Sequence, residues 1–249
     1  MMDVSFQLYS ARDFTPWQMV LERLSELGYT QVEGFGGAYE NAPAFRELLD
    51  KNALTMPSGH FFPMEQFEDD LEKVLETAKT LGIKRLFCPA LPPDQRAANA
   101  AAWQSVGERL EVIGSKVRDA GLRFGWHNHD FEFFACADGR LPMEILLEAA
   151  PSIEWEADIA WIVRGGQDPM DWINRYADRI TTAHVKDIAP EGECADEDDW
   201  ADVGHGTMDW KALMGALRKI GVDLFVLEHD KPSDFDRFAT RSIEAFRTY

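Results

Sequence analysis

Short apolar and β-branched runs alternate with longer segments of helical period from one end of the chain to the other. The first strand candidate is Val4–Leu8, followed by a helix over Pro16–Leu27 with Thr15 as N-cap and Gly28 as stop. Then come a strand at Gln31–Phe35, a helix at Ala42–Lys51, a strand at Leu54–His60 and a long helix at Met64–Leu81. A strand at Arg85–Cys88 leads to a helix over Asp94–Ala120 and a strand at Arg123–His129. The second half repeats the rhythm: helix Leu141–Ala149, strand Ile153–Asp158, helix Asp168–Ala177, strand Ile180–Lys186, helix Asp209–Ile220, strand Leu224–His229 and helix Ser233–Phe246. A glycine between helix and strand recurs at Gly28, Gly82, Gly121 and Gly221, where a left-handed residue reverses the chain.

Strict alternation of this kind calls for parallel strands joined by helical crossovers. Eight such units in 249 residues predict an α/β fold, a (β/α)8 TIM barrel in a single domain over residues 1–249. An open dinucleotide-binding sheet is disfavoured, because Gly34-Phe35-Gly36-Gly37 lacks the GxGxxG spacing and reads as a βα loop. The segment Glu191–Asp202 carries seven carboxylates and no base, and reads as a long, solvated βα loop.

Charge then narrows the partners. With 25 basic and 44 acidic residues the formal net charge is −19, which argues against nucleic acid and against anionic membranes. The three cysteines, Cys88, Cys136 and Cys194, form no CxxC pair, so neither a disulfide framework nor a cysteine zinc site is expected. The stretch Met1–Phe6 has no signal-peptide character, and no apolar run reaches the roughly 20 residues of a bilayer span. A cytoplasmic setting is the expectation.

In such a barrel the chemistry gathers at the C-terminal ends of the strands. There the sequence places Gln7, Glu33, His60, the run His127-Asn128-His129-Asp130-Phe131-Glu132, Glu156-Ala157-Asp158, His184-Val185-Lys186-Asp187 and Glu228-His229-Asp230. Five of the six histidines fall at these ends, and His205 lies in Gly204-His205-Gly206 after the seventh strand. Carboxylates and imidazoles crowded on adjacent strands must either be neutralised by a cation or undergo large pKa shifts, and a divalent metal would resolve this. Mixed ligands of this kind suit manganese, magnesium, cobalt or zinc. The expected set takes one residue from each of strands five to eight: Glu132, Asp158, His184 and Glu228, with His127 as the alternative on strand five. Asp158 reads equally as a helix cap. Lys186 is a candidate for stabilising a developing oxyanion. Gln7, Glu33, His60, His129 and His205 are candidate substrate contacts. Trp126, Trp155 and Trp161 are candidates for an apolar wall against a sugar face, with core packing the favoured use.

With these motifs on the page, the chain resembles the sugar phosphate isomerase/epimerase group of the xylose-isomerase-like TIM barrel superfamily. The resemblance rests on Gly125-Trp126-His127-Asn128-His129-Asp130-Phe131-Glu132-Phe133, on Asp158-Ile159-Ala160-Trp161, on His184-Val185-Lys186-Asp187, on Val203-Gly204-His205-Gly206 with Asp209, and on Leu227-Glu228-His229-Asp230. It implies a single divalent metal, commonly manganese, held by Glu, Asp, His and Glu, with the two glutamates acting as acid and base. Carried over, those are Glu132 and Glu228, although this chain has Trp126-His127 where the epimerases keep the first glutamate.

The reaction expected is proton transfer at a carbon beside a metal-chelated carbonyl of a sugar or keto-sugar, with Glu228 and either Glu132 or His127 as the pair. Without a leaving group the outcome is isomerisation or epimerisation. With a β-substituent it is elimination, as by a lyase on a 3-keto-glycoside or a dehydratase. A non-catalytic sugar-binding barrel is the remaining reading, and a homodimer is compatible with the fold.

Overall fold

A computed structural model describes residues 4–96 and 99–249 of the chain. In chain order its strands are β1 (Ser5–Gln7), β2 (Gln31–Gly34), β3 (Thr55–His60), β4 (Arg85–Cys88), β5 (Arg123–His127), β6 (Glu154–Asp158), β7 (Ile180–Val185), the short pair β8 (Asp187–Ile188) and β9 (Trp200–Ala201), and β10 (Leu224–Leu227). All except β8 and β9 pair in parallel, and β10 closes onto β1. The result is the predicted eight-stranded barrel ringed by helices.

The strand pleat explains the sequence pattern. Outward residues such as Phe6, Leu86, Trp155, Ala183, Val185, Phe225 and Leu227 join the apolar layer beneath the helices. Their alternate neighbours point into the barrel, and there the chain places Gln7, Glu33, His60, His127, Glu156 and His184, all buried. Because both faces are covered, every residue of β4 and β10 is buried despite this alternation.

The principal helices are α1 (Trp17–Leu27), α2 (Gly36–Tyr39), α3 (Ala42–Lys51), α4 (Glu65–Asp69), α5 (Leu71–Leu81), α6 (Ala100–Asp119), α7 (Pro142–Ala149), α8 (Ile159–Arg164), α9 (Pro169–Arg175), α10 (Trp210–Lys219) and α11 (Phe235–Phe246). Several differ from expectation for identifiable reasons. Thr15 does not cap α1; Pro16 is extended at the N-cap position and the helix begins at Trp17. The helix expected over Met64–Leu81 is two, because Asp70 leaves the helical region (φ −147°, ψ 56°) and accepts a hydrogen bond from the Lys73 N–H. Three successive carboxylates, Glu68-Asp69-Asp70, disfavour a continuing helix, whereas Asp70 suits a new N-terminus. The helix expected from Asp94 begins at Ala100 behind the Asn99 cap, and positions 97–98 of that expectation lie outside the described residues. Gly28, at φ 89°, ends α1 as read from the sequence.

The acidic segment Glu191–Asp202 is mostly solvated, with Glu191, Glu193, Asp196, Asp198 and Asp199 exposed, but it is also anchored. It contains β9, which pairs antiparallel with β8, and it buries Trp200, Glu197 and Asp202. Arg237 on α11 grips Glu197 at 2.8 and 3.0 Å and Asp202 at 3.0 Å, while Arg241 reaches Asp202 at 2.8 Å. Two arginines contributed by a later helix neutralise what looks, read locally, like an uncompensated charge run.

At the opposite end of the barrel Arg85 spans the interior. Its guanidinium forks onto Asp223 at 2.7 and 2.8 Å and donates to Thr182 Oγ1 at 3.1 Å. It thereby ties β4 to β7 and to the segment entering β10. Asp223 is largely exposed, which screens the pair, so Arg85→Ala is expected to cost about 2 kcal/mol. Urea unfolding of the two proteins measures the difference, and a change below about 0.5 kcal/mol, the ordinary range for surface substitutions, would make the contact incidental.

Candidate active site

Residues two apart on a strand share a face, so each inward row that reaches the barrel mouth carries two or three polar groups. On β6 these are Glu156 and Asp158, on β7 Thr182 and His184 with Lys186 just beyond, and on β5 His127 with His129 just beyond. Beyond β10 the chain places Glu228 and Asp230. The rows form two polar layers.

In the upper layer one donor atom each from His127, Asp158, His184 and Glu228 lies within 4.8 Å of the others, all buried. His184 Nδ1 contacts Glu228 Oε2 at 2.8 Å. The Lys186 ammonium, wholly buried, stands 2.9 Å from Glu228, 2.9 Å from Asp230 and 3.1 Å from Asp158 Oδ2. Asp158 caps α8 through Oδ1, which accepts the Trp161 N–H, while Oδ2 faces the cluster with Lys186 as its ion-pair partner. Burial opposes the charge on His184, yet Glu156, Glu228 and Glu33 raise it well above the ordinary histidine value, so its proton joins the Lys186 ammonium against the three carboxylates. With that proton released, two imidazoles and two carboxylates make a nitrogen and oxygen donor set that fits a single divalent cation.

Electrostatics set each group's state. Burial opposes the charge on Glu228, yet Lys186 and His184 hold its carboxyl well below the usual range. Burial likewise opposes the Lys186 ammonium, but Asp158, Asp230 and Glu228 raise it above the ordinary lysine value. Burial pushes Asp230 up to about 6 and, with the Lys186 charge, drives His129 down to about 3. His127 is also held well below an ordinary histidine, chiefly by burial.

The lower layer comprises Gln7, Glu33, His60 and Glu156. Gln7 Nε2 donates to Glu33 Oε1 at 2.8 Å, and that oxygen lies 2.7 Å from His184 Nε2. His60 Nε2 meets Glu156 Oε2 at 2.5 Å, and His127 Nδ1 meets the same oxygen at 3.2 Å. Despite burial, Glu33 and Glu156 raise His60 to about 9.

Above both layers opens a cavity of about 670 Å³. His60, His127, His129, Glu228 and Asp230 form its polar floor, and Tyr9, Phe35, Phe62, Trp161 and Trp200 its walls. Arg164 lies over the Trp200 ring, 3.3 Å from its centroid, and Trp200 meets Trp161 edge to face. Trp126 and Trp155 are core residues as favoured from the sequence, whereas Trp161 departs from that expectation and lines the cavity.

Several expected site residues stand elsewhere. Glu132, expected as a metal ligand and as an acid or base, lies in a short 3-10 turn after β5. Its two oxygens accept from the Trp126 indole at 3.0 Å and the His129 N–H at 2.9 Å. It belongs to neither candidate metal group among the described residues, and burial pushes its carboxyl up to about 8. His127 holds the strand-five position instead, because it is the residue whose pleat faces inward. His205, expected at the substrate, is exposed and pairs with Arg241 at 2.6 Å outside the cavity lining. Gln7 and Glu33 sit in the layer below rather than in the lining, while His60 and His129 do line it. The sequence reading did not single out Asp230 or Glu156. Their spacing two residues from Glu228 and Asp158 was the signal available.

Among known proteins, the family model described as the xylose isomerase-like TIM barrel matches residues 21–249. An inosose dehydratase from Lacticaseibacillus casei is 22% identical over 242 residues, covering 85% of this chain and 80% of that protein. A sugar phosphate isomerase/epimerase structure from Parabacteroides distasonis superposes with a TM-score of 0.82 at 22% identity, covering 98% of this chain and 92% of that one. The structure of the IolI protein with a bound zinc atom gives a TM-score of 0.77 at 17% identity, covering 99% and 96%.

The charge balance around Lys186 is testable. Lys186→Met keeps the bulk but leaves Asp158, Glu228 and Asp230 facing one another, at an expected cost of about 3 kcal/mol in metal-free protein. Added manganese or zinc should then raise the melting temperature of the variant more than that of the parent. Equal shifts in thermal unfolding would refute this role.

Proposed function

The chain belongs to the xylose isomerase-like TIM barrel family, and from that footing we propose that it is a divalent-metal-dependent enzyme that eliminates a β-substituent from a keto-polyol or keto-glycoside. The observation that carries this reading is the position of Glu132. Two-base epimerisation needs a second base facing Glu228 across the substrate, and the Glu132 carboxylate is occupied by Trp126 and the His129 backbone while burial holds His127 and His129 well below ordinary histidines. Elimination needs one base and one nearby acid, which the end of β10 supplies. The inosose dehydratase likeness supports the same outcome.

His127, Asp158, His184 and Glu228 would hold the cation, which when bound polarises the substrate's carbonyl and neighbouring oxygen. Nothing in two imidazoles and two carboxylates singles out manganese; zinc and cobalt suit them equally. Glu228, kept ionised by Lys186 and His184, accepts the proton from the carbon beside the carbonyl. Lys186 faces the negative charge that then develops on oxygen. Asp230, with its carboxyl near 6, returns a proton to the departing group, so that a hydroxyl leaves as water and the electron pair forms the new C=C bond. The aromatic walls cover the sugar's apolar face and limit water around these groups.

Isomerisation or epimerisation is the second reading. It is favoured by His129, which lines the same cavity from the β5 side while Glu228 lines it from β10. Its conjugate acid near 3 makes it a weak base for that task.

The test uses chelator-treated protein reloaded with manganese or zinc and mixed with an inosose or a 3-keto-glucoside in D₂O. Metal-dependent loss of the C–H signal together with an unsaturated ketone is the expected result. Exchange without elimination would favour the second reading, and neither change with any tested keto-sugar would overturn the proposal. Glu228→Gln, assayed at saturating metal, should lower kcat by about 10³-fold.

A further inference from the structure

The lower layer has a geometry that orientation of the upper ligands alone does not require. Four atoms from four strands, His60 Nε2, Glu156 Oε2, His184 Nε2 and Glu33 Oε1, close a quadrilateral with sides of 2.5, 3.3, 2.7 and 3.2 Å. Each nitrogen faces two carboxylate oxygens, although a ring N–H directs one proton along one line. Such convergence is the arrangement of donors around a shared centre. Adjacent donors bonded at about 2.1 Å to one divalent ion stand about 3 Å apart, close to the sides of this quadrilateral.

Two further observations point the same way. The other oxygens of both carboxylates, Glu33 Oε2 and Glu156 Oε1, are buried without a hydrogen-bond partner, so the layer has more buried acceptors than donors to meet them. His127 Nδ1 flanks the quadrilateral, 3.2 Å from Glu156 Oε2, and His60, His127, Glu156 and His184 offer donors within 4.8 Å of one another. His184 turns Nδ1 to Glu228 in the upper layer and Nε2 to Glu33 in the lower, so one imidazole spans both layers.

We propose that Glu33, His60 and Glu156, with His184 shared between the layers, form a second divalent-cation site beneath the one assigned above. It rests on the metal-binding reading of the upper layer. The deeper ion is structural in position: it closes the barrel floor beneath the cavity and fixes the ring plane of His184 for the ion above. The ligand class is a borderline ion such as zinc or cobalt, since imidazole nitrogen supplies half the quadrilateral.

The experiment counts metal. The full chain is stripped with chelator, dialysed to equilibrium against Co²⁺, and assayed for cobalt per protein, alongside Glu33→Gln and His60→Asn variants whose folding is checked by circular dichroism. Two ions per parent chain and one per chain in a folded variant are expected. One ion in the parent overturns the second site while leaving the proposed function standing, and then Glu33 and Glu156 act only as hydrogen-bonding partners of the ligand histidines. Two ions in both parent and folded variants place the extra ion elsewhere and overturn the assignment. No ion in the parent removes this site and the metal-dependent function together. The parent count needs no variant, so misfolding of both substitutions leaves the proposal exposed to refutation.

Discussion

The upper end of the barrel is organised around a shortage of positive charge. Glu33, Glu156, Asp158, Glu228 and Asp230 converge from three strand ends, and Lys186 is the one lysine or arginine fully buried among the described residues there. Carboxylates removed from water at such density are tolerable only when cations or protons meet them. Three imidazoles in the same volume supply the adaptable part of that compensation. The candidate metal position, the placement of Lys186 and the orientation of His184 all follow from this one requirement.

The barrel architecture makes the convergence possible at modest cost elsewhere. Parallel strands place residues two apart on the same inner face, and register fixes which rows lie side by side: Asp158 beside His184, and His127 beside Glu156. The apolar energy of folding is meanwhile secured outside the ring, where strand residues such as Trp155 and Phe225 pack beneath the helices. Helix-capping chemistry is drawn into the site as well. Asp158 gives one oxygen to α8 and the other to the cluster, so the helix start and the ligand position are set by the same side chain. The acidic segment after β7 is held by Arg237 and Arg241 from α11, which keeps Trp200 in the cavity wall.

Much of this was legible in the sequence because it depends on local period. The eight strands, the glycine stops and the clustering of histidines at strand ends are all properties of alternation and punctuation. Asp158, His184, Lys186 and Glu228 were found by position at the ends of well-marked strands. What escaped depended on direction or on distant partners. The break at Asp70, the pinning of the acidic segment by arginines some 35 to 40 residues later, and the exposure of His205 cannot be derived from nearest neighbours.

Glu132 is the most instructive divergence, since it decides the chemistry. The chain leaves β5 at His127 and turns through Phe131–Phe133, so Glu132 no longer obeys the pleat that sets the inward rows. Counting residues from the strand end placed it among the ligands. The turn instead folds its carboxyl back onto Trp126 and the His129 N–H, where it rigidifies the segment that carries His129 into the cavity. The strand-five side of the cavity floor therefore presents neutral imidazoles rather than a carboxylate. In the proposed function the acid and base come from the β10 end and uncharged nitrogen from the β5 end, which suits expelling a group from a carbon beside the one deprotonated more than passing a proton between two faces of one carbon.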